Sequence, residues 1–145
     1  MGSLVIPCLI YEDAPRMIDW LCDTFGFSRR AVHEDGKGGI AHAELTLGDG
    51  MIMLGSPKDN EFGRLQSTPK ALRGVTQSPY VVVEDAQAVF DKVALTGGMI
   101  VGEMRRGTES GDTFYCYDPE GYLWCIGTYN PWHASAQRQP AAAAG

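Results

Sequence analysis

The 145-residue sequence lacks several features that would assign a function class at once. It has no apolar run close to the roughly 20 residues that cross a bilayer, and the segment Met1–Pro7 has neither a basic n-region nor a long apolar h-region. Lys and Arg number only 12 against 18 Asp and Glu, so the net charge is −6 and no basic stripe offers a phosphate-binding surface. The sequence therefore predicts a soluble, cytoplasmic protein that binds neither a membrane nor nucleic acid.

Cysteine is also scarce, and no pair of cysteines has the C-x-x-C spacing. This spacing excludes a zinc knuckle, and without a signal peptide a disulfide framework is not expected. Reduced, mostly buried thiols are expected at the four positions Cys8, Cys22, Cys116 and Cys125. The glycine-rich stretch 35–39 does not form G-x-G-x-x-G between a strand and a helix, so it predicts a turn and not a dinucleotide site.

The sequence does contain a pattern of strands and one amphipathic helix that occurs twice. The first half predicts a helix from Pro15 to Gly26 and strands over 5–11, 27–33, 40–47 and 51–54. The second half predicts a helix over 86–94 and strands over 80–83, 99–105, 113–117 and 123–128. A polar stretch between them reads as a linker, so each half forms one βαβββ unit.

The two halves also repeat residue by residue at an offset of 72. The residues that recur are Pro7, Glu12, Asp13, Ala14, Asp19, Thr24 and Gly26, matched by Pro79, Glu84, Asp85, Ala86, Asp91, Thr96 and Gly98. With a one-residue slip, the run 50–54 matches the run 121–125. A βαβββ unit packs one face of its sheet on its helix, so the other face must find a partner or a ligand.

These features resemble the vicinal oxygen chelate superfamily, in particular its glyoxalase and bleomycin-resistance branch. The resemblance rests on the paired modules, the joints YEDA (11–14) and VEDA (83–86), and the run DPEGYLW (118–124). It implies an α+β fold in which two βαβββ modules cup a U-shaped cavity, usually within a homodimer. A single domain is expected over 1–133, and a disordered tail is expected over 134–145. Within that domain the expected parts are module one (4–56), a linker (57–78) and module two (79–132).

Catalytic members of that superfamily hold a divalent metal at four equivalent strand positions. The resemblance places these positions on Ile6, Leu54, Ser78 and Cys125, of which only Cys125 has a suitable ligand atom. A catalytic zinc site needs three protein ligands of His, Cys or carboxylate type. The sequence therefore predicts no metal, no other cofactor and no catalytic residue.

The residues expected to contact a ligand lie on the open faces of the two sheets and in two flexible segments. His42 and Glu44 alternate with core residues along one strand, and Tyr115 and Tyr117 hold the corresponding parity in module two. Phe62 and Trp132 are rings that either close over a flat ligand or form dimer contacts. The expected ligand-binding set is His42, Glu44, Leu54, Phe62, Tyr115, Tyr117, Cys125 and Trp132.

The function predicted from these residues is metal-independent binding of a small aromatic or amphipathic molecule, such as an antibiotic, in the cleft of a homodimer. If such a protein confers resistance, the expected mechanism is sequestration. The acidic net charge is compatible with cationic or flat ligands. The alternative is a metal-dependent lyase, isomerase, thiol transferase or dioxygenase with ligands shifted to His42, Glu44 and Cys125. A cleft that serves a protein partner is a third possibility.

Overall fold

The computed structural model describes residues 1–109 and 111–134, and it contains the predicted βαβββ unit twice. Module one consists of β1 (Cys8–Ile10), α1 (Ala14–Phe25), β2 (Ser28–Glu34), β3 (Ile40–Leu47) and β4 (Gly50–Gly55). Module two consists of β5 (Tyr80–Val82), α3 (Ala86–Leu95), β6 (Met99–Thr108), β7 (Gly111–Tyr117) and β8 (Leu123–Gly127). The linker holds a 3₁₀ turn (Gly63–Leu65) and the short helix α2 (Pro69–Leu72), and α4 (Pro131–Ala134) follows β8.

The two long helices begin and end as their sequences dictate. Asp13 caps α1 by accepting a hydrogen bond from the backbone N–H of Arg16 at 3.3 Å, and Asp85 caps α3 in the same way with Ala88 at 3.0 Å. Gly26 ends α1 at φ 87°, a left-handed conformation that favours glycine. No helix within residues 1–109 and 111–134 has the length and apolar character needed to cross a membrane.

Each module forms one four-stranded sheet in which the first strand lies parallel to the last. Sheet one has the order β1-β4-β3-β2, and sheet two has the order β5-β8-β7-β6. Cys8 pairs with Met53 in sheet one, and Tyr80 pairs with Cys125 in sheet two. The offset of 72 therefore holds for the first and the last strand of the modules, and Met53 is the equivalent of Cys125. The one-residue slip expected from the sequence match is wrong.

The helix-facing sides of both sheets share one hydrophobic core. Trp124 of β8 is fully buried and contacts Phe25 of α1, with ring centroids 5.1 Å apart. Trp20 of α1 donates a hydrogen bond from Nε1 to the carbonyl of Thr96 at 3.0 Å. The hydroxyls of Thr24 and Thr96 lie 3.3 Å apart, so these repeat-related residues meet where the two modules join.

The turn of the DPEGYLW run also fastens module two to module one. The buried carboxylate of Asp118 accepts hydrogen bonds from Tyr11 Oη at 2.6 Å and from Trp124 Nε1 at 3.0 Å. The carboxylate of Glu120 accepts from the backbone N–H groups of Glu12 at 2.6 Å and Asp13 at 2.9 Å. The turn thus holds the joint between β1 and α1, and desolvation raises the pKa values of Asp118, Glu120 and Tyr11.

Several boundaries differ from the sequence predictions. The first strand covers 8–10 and not 5–11. At its start, Val5 is exposed and Pro7 has no N–H to donate to a neighbouring strand. Strand β6 runs to Thr108, with irregular pairing between Val101 and Thr108. The four thiols are free as predicted, but only Cys116 is buried. Of the tail predicted over 134–145, residues 135–145 lie outside the described part of the chain.

Candidate functional site

Each sheet has an open face, defined as the face turned away from α1 or α3. The strand pairing lines up one row of four residues across each open face. In sheet one the row is Ala31, Glu44, Met53 and Cys8. In sheet two the equivalent row is Val101, Tyr115, Cys125 and Tyr80. The same backbone therefore presents a mixed polar and sulfur-containing surface in one module and an aromatic surface in the other.

Leu54 does not lie on the open face of sheet one. It pairs with Leu9 and Ala43, and only 3% of its surface is exposed because it packs into the core. Neighbouring side chains along a strand point to opposite faces, so Met53 holds the open-face position that the sequence match gave to Leu54. Leu54 is therefore a core residue that also lines the linker pocket described below, and its contact with a ligand stays a prediction.

This register also tests whether the family's metal could bind here. The four equivalent positions become Ile6, Met53, Ser78 and Cys125, which supply one thiol, one thioether and one hydroxyl. Such a set does not provide the three His, Cys or carboxylate ligands of a catalytic zinc site. Within the described ranges, no group of three or more His, Cys, Asp or Glu side chains is arranged to hold a metal ion. The residues present do not fit the metal.

The polar residues predicted on β3 do come together. His42 Nε2 lies 2.9 Å from Glu44 Oε2, and the other carboxylate oxygen of Glu44 accepts a hydrogen bond from Arg30. These bonds from His42 and Arg30 lower the pKa of Glu44. The ring of His33 stacks on His42 with centroids 6.3 Å apart. Glu44 is therefore held by two donors, and the imidazole of His42 is fixed in orientation.

The linker crosses near this surface and encloses a pocket of about 210 Å³, here called the linker pocket. Its sheet side includes Cys8, Ile10, His42 and Met53, and its linker side includes Lys58, Phe62 and Gln66. A second pocket of about 240 Å³ lies on the other side of Gln66, between β1 and the stretch 65–77. The sequence analysis did not predict Cys8, Met53, Lys58 and Gln66 as pocket residues. Cys8 and Met53 could have been identified, because side chains alternate between the two faces along a strand.

The open face of sheet two is aromatic and uncovered by any helix of the described residues. Tyr115 is 38% exposed, and the guanidinium of Arg105 lies 5.6 Å from its ring centroid. Cys125 is half-buried beside it, and desolvation raises the pKa of its thiol. The pKa of Cys116 is raised to about 12 by burial. Neither cysteine therefore has the lowered pKa that an activated nucleophile needs.

The structure groups the predicted ligand-binding residues into two patches. His42, Leu54 and Phe62 line the linker pocket, and Glu44 adjoins it through His42. Tyr115, Tyr117 and Cys125 belong to sheet two by register. Trp132 is 85% exposed on α4 and lines neither of the two pockets. One chain thus presents the predicted residues in two separate patches.

The fold defines a class of protein with paired βαβββ modules. The sequence profile of the Glyoxalase/Bleomycin resistance protein/Dioxygenase superfamily matches residues 3–126. The chain belongs to this superfamily.

Known proteins similar to this chain include a solved structure of TioX from Micromonospora sp. ML1. That structure is 25% identical, has a TM-score of 0.69, and the match covers 89% of this chain and 100% of TioX. An uncharacterized protein of Mycobacterium bovis is 29% identical over 124 residues, which are 83% of this chain and 80% of the relative. The fosfomycin resistance protein FosX from Listeria monocytogenes, solved with Mn(II) and sulfate, shares the fold with a TM-score of 0.60. Its identity is 13%, and the match covers 91% of this chain and 96% of FosX.

Proposed function

We propose that this protein binds an aromatic or amphipathic small molecule, such as an antibiotic, without a metal, and acts by sequestration in the cleft of a homodimer. The observation that carries the proposal is the pair of equivalent open-face rows. The rows lie at equivalent places in the two modules and lack the side chains of a metal site, which supports binding without a metal. A protein in excess over its Kd lowers the free concentration of a toxic ligand without breaking a bond.

The chemistry of the open faces supports binding over catalysis. Tyr80 and Tyr115 flank Cys125 on sheet two and offer ring surfaces to a flat or cationic ligand. The thiol of Cys125 has a raised pKa, and Glu44 is already bonded to His42 and Arg30. These groups are suited to orienting a ligand more than to proton transfer or nucleophilic attack.

The size of the pockets supports a dimer. Sites for drug-sized ligands enclose roughly 300 to 1,000 Å³, whereas the two pockets bordering the linker measure about 210 and 240 Å³. A ligand as large as an antibiotic therefore needs a second surface. A second copy of the chain supplies it when sheet two of one copy faces sheet one of the other, since the two open faces differ in character.

Calorimetric titration with metal-free bleomycin, in buffer with and without EDTA, tests the proposal. We expect saturable binding with the same Kd in both buffers. Tyr115→Ala should weaken binding, whereas Leu95→Ala, at an exposed position on α3, should not. Loss of binding in EDTA would contradict metal independence. If neither bleomycin nor any of a panel of flat aromatic antibiotics binds, the proposal of sequestration is wrong.

The second candidate is a metal-dependent enzyme with shifted ligands His42, Glu44 and Cys125. The contact between His42 and Glu44 favours it, because two potential ligands already adjoin. Cys125, however, belongs to the other sheet, and Arg30 competes for the carboxylate of Glu44. Metal analysis of protein purified without chelator distinguishes the candidates, since the enzyme should retain about one equivalent of metal per chain.

A further inference from the structure

The floor of the linker pocket is apolar and rich in sulfur. Cys8 and Ile10 of β1 and Met53 of β4 come from adjacent strands of sheet one, and all three line the pocket. Phe62 of the linker lines it as well and is 67% exposed. Thioether and thiol groups make favourable contacts with aromatic rings, and a free phenyl ring offers a stacking partner. This floor suits an aromatic ring.

The volume of the pocket limits how much of a ligand one chain can enclose. A cavity of roughly 150 Å³ accepts a benzene molecule, and the linker pocket measures about 210 Å³. It therefore has room for one substituted ring.

The charge of the pocket is opposite to that of the whole chain. Lys58 lines it, and among the described residues that line it there is no Asp or Glu, although the net charge of the chain is −6. Lys58 forms no ion pair with any residue in the described part of the chain. The carboxylate of Glu44, which adjoins the pocket through His42, is already paired with Arg30. The pocket therefore favours a ligand that carries a negative charge.

The wall that carries Lys58 is fixed by a compact turn. Asn60 Oδ1 accepts a hydrogen bond from the backbone N–H of Gly63 at 2.7 Å, and Arg64 pairs with Asp59 at 2.9 Å. A side chain at position 63 would collide with the carbonyl group of Lys58, so only glycine allows this close approach. The turn places Lys58 and Phe62 before a ligand arrives, which reduces the ordering cost of binding.

We propose that the linker pocket binds a small aromatic carboxylate, with the ring on Met53, Cys8 and Phe62 and the carboxylate at Lys58. The inference rests on the proposed function, because it assumes that a small molecule binds at the open face of sheet one. It adds the chemical class of ligand that this face selects. The long, flexible side chain of Lys58 reaches the carboxylate as a point charge.

Titration of isotope-labelled protein with benzoate, monitored by NMR, tests the assignment, with benzyl alcohol as the uncharged analogue. We expect saturable shifts of the Met53 methyl and of residues 58–66 with benzoate, and weaker binding of benzyl alcohol. Lys58→Met should weaken benzoate binding about two- to fivefold, as expected for an exposed ion pair, and should leave benzyl alcohol unchanged. Lys92→Met, which removes an exposed lysine on α3, is the matched control and should change neither.

Gly63→Ala provides a second variant, which changes none of the side chains proposed to contact the ligand. It should weaken both probes because it moves the wall, while the backbone shifts of sheet one stay as in the parent protein. The proposal is overturned if benzoate gives no saturable shifts, if benzyl alcohol binds as well as benzoate, or if Lys58→Met has no more effect than Lys92→Met. If benzoate does not bind but bleomycin does, the aromatic carboxylate proposal is wrong and the proposed function is retained. If neither binds, both proposals are wrong.

Discussion

Module one and module two use the same strand register but present different chemistry at equivalent open-face positions. Met53 and Cys125 occupy the same place, each beside the first strand of its module. Glu44 pairs with Met53, whereas Tyr115 pairs with Cys125. On the buried faces both modules place apolar residues, such as Leu54 and Ile126. The comparison indicates that the buried faces serve one common core, whereas the open faces differ in chemistry, as expected if each binds a different part of the proposed ligand.

The modules differ also in what covers the open face. The linker lies along sheet one and encloses the linker pocket, whereas Tyr115 and Val101 of sheet two are more than one-third exposed. In the proposed dimer, sheet one contributes a partly enclosed half-site with an apolar, sulfur-rich floor and a polar rim, and sheet two contributes an aromatic half-site.

The largest expected effect on stability is the difference between a buried and an open-face substitution on the neighbouring strands β8 and β7. Trp124→Ala should lower the free energy of unfolding by about 3–5 kcal/mol, because it empties the centre of the shared core. Tyr115→Ala, on the open face, should cost less than about 1 kcal/mol. Urea denaturation followed by circular dichroism measures both. A single transition is expected in each case, and separate transitions for the two modules would contradict a shared core.

The second prediction concerns the hydrogen bonds that join the modules. Tyr11→Phe removes the bond to the buried carboxylate of Asp118 and should cost about 1.5–3 kcal/mol, as for bonds to charged groups. Tyr80→Phe is the matched control, because its hydroxyl bonds to the carbonyl of Tyr129 at a more exposed place, and it should cost below about 1 kcal/mol. Equal losses for the two variants in urea denaturation would show that the turn does not fasten the modules.

The smallest effect concerns two aspartates with the same local bonding pattern. Asp35 accepts from the backbone N–H groups of Lys37 and Gly39, and Asp118 accepts from those of Glu120 and Tyr122. These bonds lower the pKa of exposed Asp35, whereas burial raises the pKa of Asp118. Carboxyl carbon shifts followed against pH by NMR should therefore show Asp35 titrating below 3.8 and Asp118 above it.

The two aspartates should affect stability with opposite signs. Native Asp118 keeps its proton to a higher pH than the unfolded chain does, so its contribution is full below 3.8 and is lost as the pH rises through its native pKa. The contribution of Asp35 is present above 3.8 and is lost as the pH falls through its lowered pKa. Denaturation of Asp118→Asn and Asp35→Asn across acidic pH checks this, and slopes of the same sign would contradict the assignment.

The fold could be predicted because its signals are local and repeated. Asp13 and Asp85 recur at the start of each helix, and alternation along β3 correctly placed Ala43 and Leu45 in the core. The error at Leu54 arose because a sequence match can slip by one residue without penalty. In a sheet, the same slip moves every side chain to the opposite face.

Other parts of the site depend on contacts between residues far apart in the chain. Tyr11 donates a hydrogen bond to Asp118, which is 107 residues away in the sequence. No local sequence pattern predicts that bond. Lys58 and Gln66 belong to a polar stretch whose path over sheet one is set by β1 and by the turn at Gly63. Loop residues of this kind carry no periodicity, so their place at a pocket emerges only from the folded chain.

The central claim is that this superfamily member binds its ligand without a metal, and metal analysis of the protein purified without chelator tests it most directly. Metal content should stay well below one equivalent per chain, and adding Mn(II), Zn(II) or Ni(II) should leave the melting temperature unchanged, because a tightly bound ion would raise it. About one equivalent of a divalent transition metal per chain, with anomalous scattering placing it against three or more side chains of the open faces, would contradict the account.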